Sequence, residues 1–522
     1  MADSDTTTMT GADALVSTLA DHGVEACFAN PGTSEMHLVT ALDRETRINS
    51  VLCLFEGVAT GAADGYARIK GEPAMTLLHL GAGYLNGGAN IHNAKRAKTP
   101  MINVIGDHAV DHRKYDAPLN SDIMGLAGPN SIWIKSADSV AATGPLAAEA
   151  WAASFGPEPG PVSLILPADS AWTEGGVKGK LAKRPAMRPV SAGRIEAAAA
   201  ALKAASKPVI VFSGTALGEA GLAEAARLKG AGIRVITDTF FARQRRGAGV
   251  FFPDRMQYFA EMAMEDLEGS DLMVVAGTHL PAAFFAYPGK PSLLVPEGCA
   301  TLDLGGAETD SAATLKALAD ALGANDPAPP APLDKPEAPS GDLDARAVGK
   351  SIARHMPENA IVSDDGVSNS MPIFLSTVKA EPHDWMGLTG GAIGQGLPLA
   401  LGAAVAAPDR KVIALTGDGA GMYTNQALWS MAREQTDVTT IVFVNNTYRI
   451  LNIELARTGA GNPGPTAKEM LEIGGPDIDW VSLAESMGVP AVAVTTAEDF
   501  EAAFEEAMKQ TGPRLIAAIV PG

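Results

Sequence analysis

Short β-branched runs alternate with alanine-rich helical stretches along the whole chain. That alternation leaves few architectures open. Parallel strands must be joined by crossover helices, and the helices then cover both faces of the sheet. In the first third the runs are "EACFAN" (25–30), "SVLCLFE" (50–56), "AMTLLHL" (74–80), "PMINVIGD" (100–107) and "PVSLILP" (161–167), with helical patterns over 11–22, 57–70 and 87–98. A second set reads "PVIVFSG" (208–214), "RVITD" (234–238), "DLMVVAG" (271–277) and "SLLVPE" (292–297). A third reads "AIVSDDG" (360–366), "KVIALTGDG" (411–419), "TTIVFVNN" (439–446) and "RLIAAIVPG" (514–522). Between the sets lie two aperiodic segments. Residues 174–190 are rich in Gly, Lys and Pro, and residues 324–344 carry too many prolines for a helix or central strand. With 522 residues the chain exceeds what one core can bury. The expected fold is α/β, with three doubly wound parallel-sheet domains over 1–175, 190–325 and 345–522.

Composition narrows the partners. A net charge of −20 argues against nucleic acid or an anionic membrane surface. An anionic ligand would have to be met by local positive groups. Three scattered cysteines, Cys27, Cys53 and Cys299, form no CxxC pair, so neither a disulfide framework nor a zinc site is expected. The N-terminus "MADSDTTTMTG" lacks the basic and apolar regions of a signal peptide, and no apolar run approaches the roughly 18 residues of a membrane span. "GLPLALGAAVAA" (396–407) reads as a buried helix. These features together point to the cytoplasm.

In parallel α/β sheets ligands bind at the C-terminal ends of strands. Asp418 sits there, directly after an apolar run and between Gly417 and Gly419. Residues 420–444 then lead through a helix and strand to Asn445 and Asn446. Both tips should lie side by side on one sheet edge. A carboxylate, an amide oxygen and a backbone carbonyl are hard donors suited to Mg²⁺, with positions left for phosphates and water. The flanking glycines let backbone approach a phosphate closely. The spacing therefore points to a metal ion holding a diphosphate.

GDG followed after about 25 residues by NN resembles the cofactor-binding pattern of thiamine-diphosphate-dependent enzymes. Over all three domains the chain resembles the pyruvate oxidase/decarboxylase-like branch that includes acetolactate synthase and benzoylformate decarboxylase. The resemblance implies an N-terminal aminopyrimidine-binding domain, a central domain and a C-terminal domain for diphosphate and Mg²⁺. It implies Asp418, Asn446 and the backbone carbonyl of Tyr448 as metal ligands. "SVLCLFEGVATGAADGYAR" (50–68) resembles the segment with the catalytic glutamate, here Glu56, which shares a proton with a pyrimidine nitrogen. "GLTGGAIGQGLP" (387–398) resembles the loop that bends the cofactor. Gly391 would offer its carbonyl and Ile393 would wedge beneath the rings. "NPGTSE" (30–35) and "LLHLGAG" (77–83) look closest to benzoylformate decarboxylase. His79 is accordingly expected to be catalytic, with Thr33 or Ser34 at the substrate carboxylate.

The second histidine of benzoylformate decarboxylase has no counterpart; "THLPAAFFAYPG" (278–289) offers Phe284, Phe285 and His279 instead. His108 and His112 stand singly, unlike the paired histidines of pyruvate decarboxylase. An FAD in the middle domain, as in many acetolactate synthases, has no support in "FSGTALGE" (212–219). No GxGxxG follows a first strand with an acid about 20 residues on, which sets aside a nucleotide-binding dehydrogenase. The implied activity is decarboxylation, carboligation, or both, on 2-oxo acids with a carbonyl acceptor. The benzoylformate-decarboxylase-like alternative is a simple decarboxylase or a 2-hydroxyacyl lyase. The implied assembly is a homodimer or homotetramer with active sites between chains.

Overall fold

A computed structural model describes residues 9–459 and 461–522. The stretch 1–8, most of the polar N-terminus discussed above, lies outside the described residues. The first sheet contains β1 (Ala26–Asn30), β2 (Asn49–Leu52), β3 (Ala74–Leu78), β4 (Met101–Asp107), β5 (Trp133–Ser136) and β6 (Pro161–Pro167), in the order β2-β1-β3-β4-β6-β5 and parallel throughout. The middle of the chain adds β7 (Pro208–Phe212), β8 (Arg234–Thr237), β9 (Gln244–Arg246), β10 (Asp254–Arg255), β11 (Leu272–Ala276) and β12 (Ala300–Asp303). The last third adds β13 (Ile361–Asp365), β14 (His383–Gly387), β15 (Val412–Gly417), β16 (Val438–Val444), β17 (Ala491–Val494) and β18 (Arg514–Ile519). The second sheet runs β10-β8-β7-β11-β12 and the third β17-β18-β16-β15-β13-β14-β9. Three parallel α/β domains are thus present, as the alternation implied.

Three departures from the sequence reading have physical causes. β9 falls within the central stretch 190–325, yet it leaves that sheet and pairs antiparallel with β14. The run "SLLVPE" is not a strand. Pro291 precedes it and Pro296 falls inside it, only Leu294 is fully buried, and Leu293 makes just an isolated bridge to Ala282. The edge strand is β12 instead. Likewise "SVLCLFE" leaves extended structure after Leu52, and Glu56 is the first residue of the helix Glu56–Lys70.

The first and third domains meet through helices. The helix Glu56–Lys70 crosses the apolar helix Gly396–Ala406 so closely that a Cβ on Gly402 would lie 1.8 Å from the Ala62 carbonyl oxygen, and one on Gly65 would lie 2.0 Å from that of Leu399. One buried cluster accordingly joins Val58, Ala59, Ala62 and Ala63 to Leu397, Leu399, Ala400 and Leu401. Among the described residues no helix is long and apolar enough to cross a membrane.

Candidate active site

β15 and β16 are neighbours, with Gly417 opposite Phe443, so the turns that follow them lie together. Asp418 fills the space between these turns. Its Oδ2 accepts the backbone N–H groups of Asn445 (2.9 Å) and Asn446 (2.7 Å), and its Oδ1 that of Gly419 (2.8 Å). Among the described residues no Lys, Arg or His pairs with it. Burial pushes the carboxyl up, against the pull of those N–H bonds. A buried carboxylate opposed only by backbone dipoles suits an added cation. Asn446 stands in left-handed backbone (φ 53°), its amide nitrogen 3.3 Å from Asp477 Oδ1, which leaves its side-chain oxygen for other partners. Gly417 borders open space, where a phosphate group could approach the backbone. The donors therefore fit a hard divalent ion and a diphosphate.

Tyr448 is placed differently from what its expected role needs. Its carbonyl already accepts N–H bonds from Leu451 (2.9 Å) and Asn452 (3.2 Å), capping the helix Arg449–Arg457, and its ring covers Gly419. A metal bond from that carbonyl requires this first turn to loosen.

A second cluster forms on the first domain. Glu56 is buried, with Oε2 accepting the Asn86 amide at 3.0 Å. Gly83 separates it from His79, for a Cβ there would lie 3.0 Å from Glu56 Oε1 and 3.4 Å from His79 Cβ. His79 follows β3 and precedes the helix Leu80–Ala97. Its Nδ1 is 2.8 Å from Glu35 Oε2 and 3.3 Å from Ser34 Oγ, while Ser34 Oγ donates to Glu35 Oε1 at 2.6 Å. A carboxylate only accepts, so Glu35 keeps the proton on Nδ1 and leaves Nε2 for exchange. Glu35 is fully buried and also accepts the Gly32 N–H at 2.7 Å. The sequence reading missed it, although it closes the quoted "NPGTSE". Its neighbour Thr33 is exposed.

Gly391 (φ 76°) and Ile393 occupy the loop between β14 and the helix Gly396–Ala406; a Cβ on Gly391 would lie 2.5 Å from the Phe284 ring. Phe284 packs with Phe240, Tyr258 and Phe285. A cleft of about 1320 Å³ runs from Thr389 and Gly390 past these rings to Asp238 and His279; neither Glu56 nor Asp418 lines it. Burial pushes Asp238 up to about 6. His108 and His112 lie beyond β4 with ring centroids 5.3 Å apart, and His108 Nε2 is buried without a partner among the described residues. Asp107 pairs with Arg113 at 2.7 Å. Asp418, Gly419 and Asn446 are thus brought together, as are Glu56, His79 and Ser34, on separate domains.

Comparison with known proteins agrees with this division. Residues 9–126 match the model of the thiamine pyrophosphate enzyme N-terminal TPP binding domain, and residues 370–518 that of the C-terminal TPP binding domain. The chain is 48% identical over 519 residues, 98% of its own length and 99% of the relative's, to IlvX of Mycobacterium tuberculosis, a protein whose name assigns it provisionally to the acetolactate synthase large subunits. It is 27% identical to benzoylformate decarboxylase of Pseudomonas aeruginosa, covering 95% of this chain and 96% of that one. It superposes with TM-score 0.86 and 26% identity on the thiamine diphosphate-dependent 4-hydroxybenzoylformate decarboxylase of Rhodococcus jostii RHA1, covering 98% and 99%. The chain belongs to the thiamine pyrophosphate enzymes, with an N-terminal and a C-terminal thiamine-diphosphate-binding domain on either side of a third α/β domain.

Proposed function

We propose that this enzyme uses thiamine diphosphate with Mg²⁺ to decarboxylate a 2-oxo acid and to pass the remaining fragment to a carbonyl acceptor, in the manner of acetolactate synthase. The buried Asp418, without a basic partner among the described residues and beside the Asn446 turn, carries the cofactor part of this reading. The full-length similarity to IlvX supports the acetolactate-synthase-like part. When bound, the cofactor supplies a nucleophilic carbon and an electron sink for the bond that breaks. Asp418 and the Asn446 side chain would hold the metal ion, joined by the Tyr448 carbonyl once its helix turn opens. Gly417 and Gly419 would bring backbone against the diphosphate. Gly391 would accept from the aminopyrimidine, and Ile393 would support the rings. Glu56 holds a proton at its carboxyl for a pyrimidine nitrogen. His79 moves a proton through Nε2, with Glu35 fixing the tautomer and Ser34 or Thr33 turned to the substrate carboxylate.

The His79–Glu35–Ser34 group favours a second reading, simple decarboxylation of the benzoylformate decarboxylase kind, because a proton donor beside the reacting carbon releases an aldehyde. Product analysis decides between the two. With a panel of 2-oxo acids and an added aldehyde, the first reading predicts 2-hydroxy ketones, and the second predicts aldehydes whatever acceptor is present. If no 2-oxo acid is consumed, both fail.

The active unit is at least a dimer, with Glu56 of one chain serving the cofactor held by Asp418 of another. Exposed apolar side chains around both half-sites support this. Leu54, Leu85 and Met124 lie on the first domain, and Met422, Tyr423 and Leu451 on the third. A cytoplasmic location accords with three free cysteines, two of them buried.

A further inference from the structure

The loop Gly387–Gln395 carries the two residues read above as cofactor contacts; it belongs to the third domain, where Gly394 bonds to Asp365 and Thr424, yet its Gly387–Ala392 part is bonded to the first. Asn93 is fully buried on the helix Leu80–Ala97 and pairs with both backbone groups of one loop residue. Its Nδ2 donates to the Ala392 carbonyl at 2.8 Å, and its Oδ1 accepts the Ala392 N–H at 3.3 Å. Its own carbonyl accepts the Thr389 hydroxyl at 2.8 Å. Ala392 stands between Gly391 and Ile393, so the amide sets the residue that separates them. The same Nδ2 donates to Asn90 Oδ1 at 3.1 Å, and Asn90 Nδ2 donates to the Gly57 carbonyl at 2.8 Å. Gly57 directly follows Glu56. Two buried amides therefore connect the backbone beside the catalytic carboxylate to the backbone beside the cofactor loop's glycine.

The loop lies hard against this helix. A Cβ on Gly390 would sit 2.5 Å from Asn93 Oδ1, and one on Gly61 would sit 2.9 Å from Asn90 Nδ2. Arg68 secures the flank, donating to the Gly387 carbonyl (2.8 Å) and to Thr389 Oγ1 (3.1 Å) while paired with Asp64 (2.6 Å). A buried amide that satisfies both backbone groups of one residue has little freedom to shift, since each bond lost leaves an unmet polar group.

We propose that Asn93, relayed through Asn90, is a positioning residue for thiamine diphosphate. It holds the Gly391–Ile393 segment in its cofactor-ready form. This rests on the reading of Gly391 and Ile393 as cofactor contacts.

The test is Asn93→Asp, nearly the same shape, assayed by titration calorimetry of the whole protein with thiamine diphosphate and Mg²⁺. An ionised carboxylate cannot donate to the Ala392 carbonyl. Affinity should fall by roughly tenfold or more, the size expected for one unmet buried hydrogen-bonding group. Protonation restores a donor, so the deficit relative to wild type measured at the same pH should shrink as pH falls. Hydrogen exchange of residues 387–395 in the cofactor-free variant should rise more than that of β13 or β15. Thr389→Val, which deletes the hydroxyl's bond to the Asn93 carbonyl along with the one it accepts from Arg68, should raise exchange in the same loop if Asn93→Asp does not fold. Asp418→Ala serves as the reference arm. If it abolishes binding while both variants keep wild-type affinity and loop exchange, the positioning role is wrong. If Asp418→Ala itself binds normally, the reading of the cofactor site fails first.

Discussion

Asp418 is held by three backbone N–H groups and, among the described residues, by no side-chain cation, so its removal should leave the surrounding turns folded while taking away the formal charge proposed to hold the metal. Asp418→Ala should lose measurable thiamine diphosphate binding by calorimetry with little change in far-UV circular dichroism; unchanged affinity contradicts the assignment. Glu56 and His79 act at different moments. Glu56→Gln should slow exchange of the cofactor's C2 proton, read by NMR after acid quench. His79→Ala should leave that exchange near wild type and lower turnover by about 10²–10⁴-fold, the usual loss for a general acid–base group. Glu35→Gln, which loses the fixed Nδ1 tautomer, should share the His79 phenotype in weaker form. Equal loss of C2 exchange in the His79 variant would place it in cofactor activation instead. Asp365 offers a pH test. It is fully buried, accepts the Gly394 and Gly396 N–H groups, and is pushed by burial from 3.8 to about 7. The folded state then binds a proton that the unfolded state has released, so stability is full below pH about 4 and falls as pH rises through about 7. Asp365→Asn should flatten that decline in urea unfolding followed across the window; an unchanged profile removes Asp365 as its source.

At the scale of elements, the crossing of the helices Glu56–Lys70 and Gly396–Ala406 sets how the first domain sits on the third. Gly402 and Gly65 bring the two backbones together, and the obstructing atoms at both glycines are main-chain atoms that cannot swing aside. Gly402→Ala should destabilise by about 1–3 kcal/mol or more through overpacking. Because Glu56 rides on one of these helices, the same change should weaken activity beyond what the lost stability explains. Differential scanning calorimetry with an activity assay below the first transition checks this. A variant with wild-type transition and turnover means the helices separate freely.

At the scale of the whole molecule, the two halves of the proposed site sit on different domains, and each is rimmed by exposed apolar side chains such as Leu54 and Leu85 on one and Tyr423 and Leu451 on the other. Mixing Glu56→Ala with Asp418→Ala chains, with subunit exchange, should restore some activity, because a hybrid dimer contains one site with both groups intact. A fully active monomer in light scattering excludes the shared site.

The strand–helix alternation and the GDG and NN turns were legible in the sequence because each depends on neighbours in the chain. Periodicity decides which face of an element is buried, and glycine beside an acid at one strand end, with a paired amide at the next, is a local spacing that the chain itself displays. The short strands β9 and β14 were not legible. "HDWMG" opens with a histidine and an aspartate, which read as surface, yet both are buried; Asp384 is met by Arg243 and Arg410 from distant segments. Glu35 was passed over for the same reason. A charged residue in a turn looks solvated until a histidine 44 positions away closes on it. The Asn93–Ala392 pairing spans 299 positions and could be read from neither end. Local propensity and spacing act along the chain and so belong to the sequence. Which buried polar groups find one another is settled only when the domains pack, because only then does an unpaired group lose its water and require a partner.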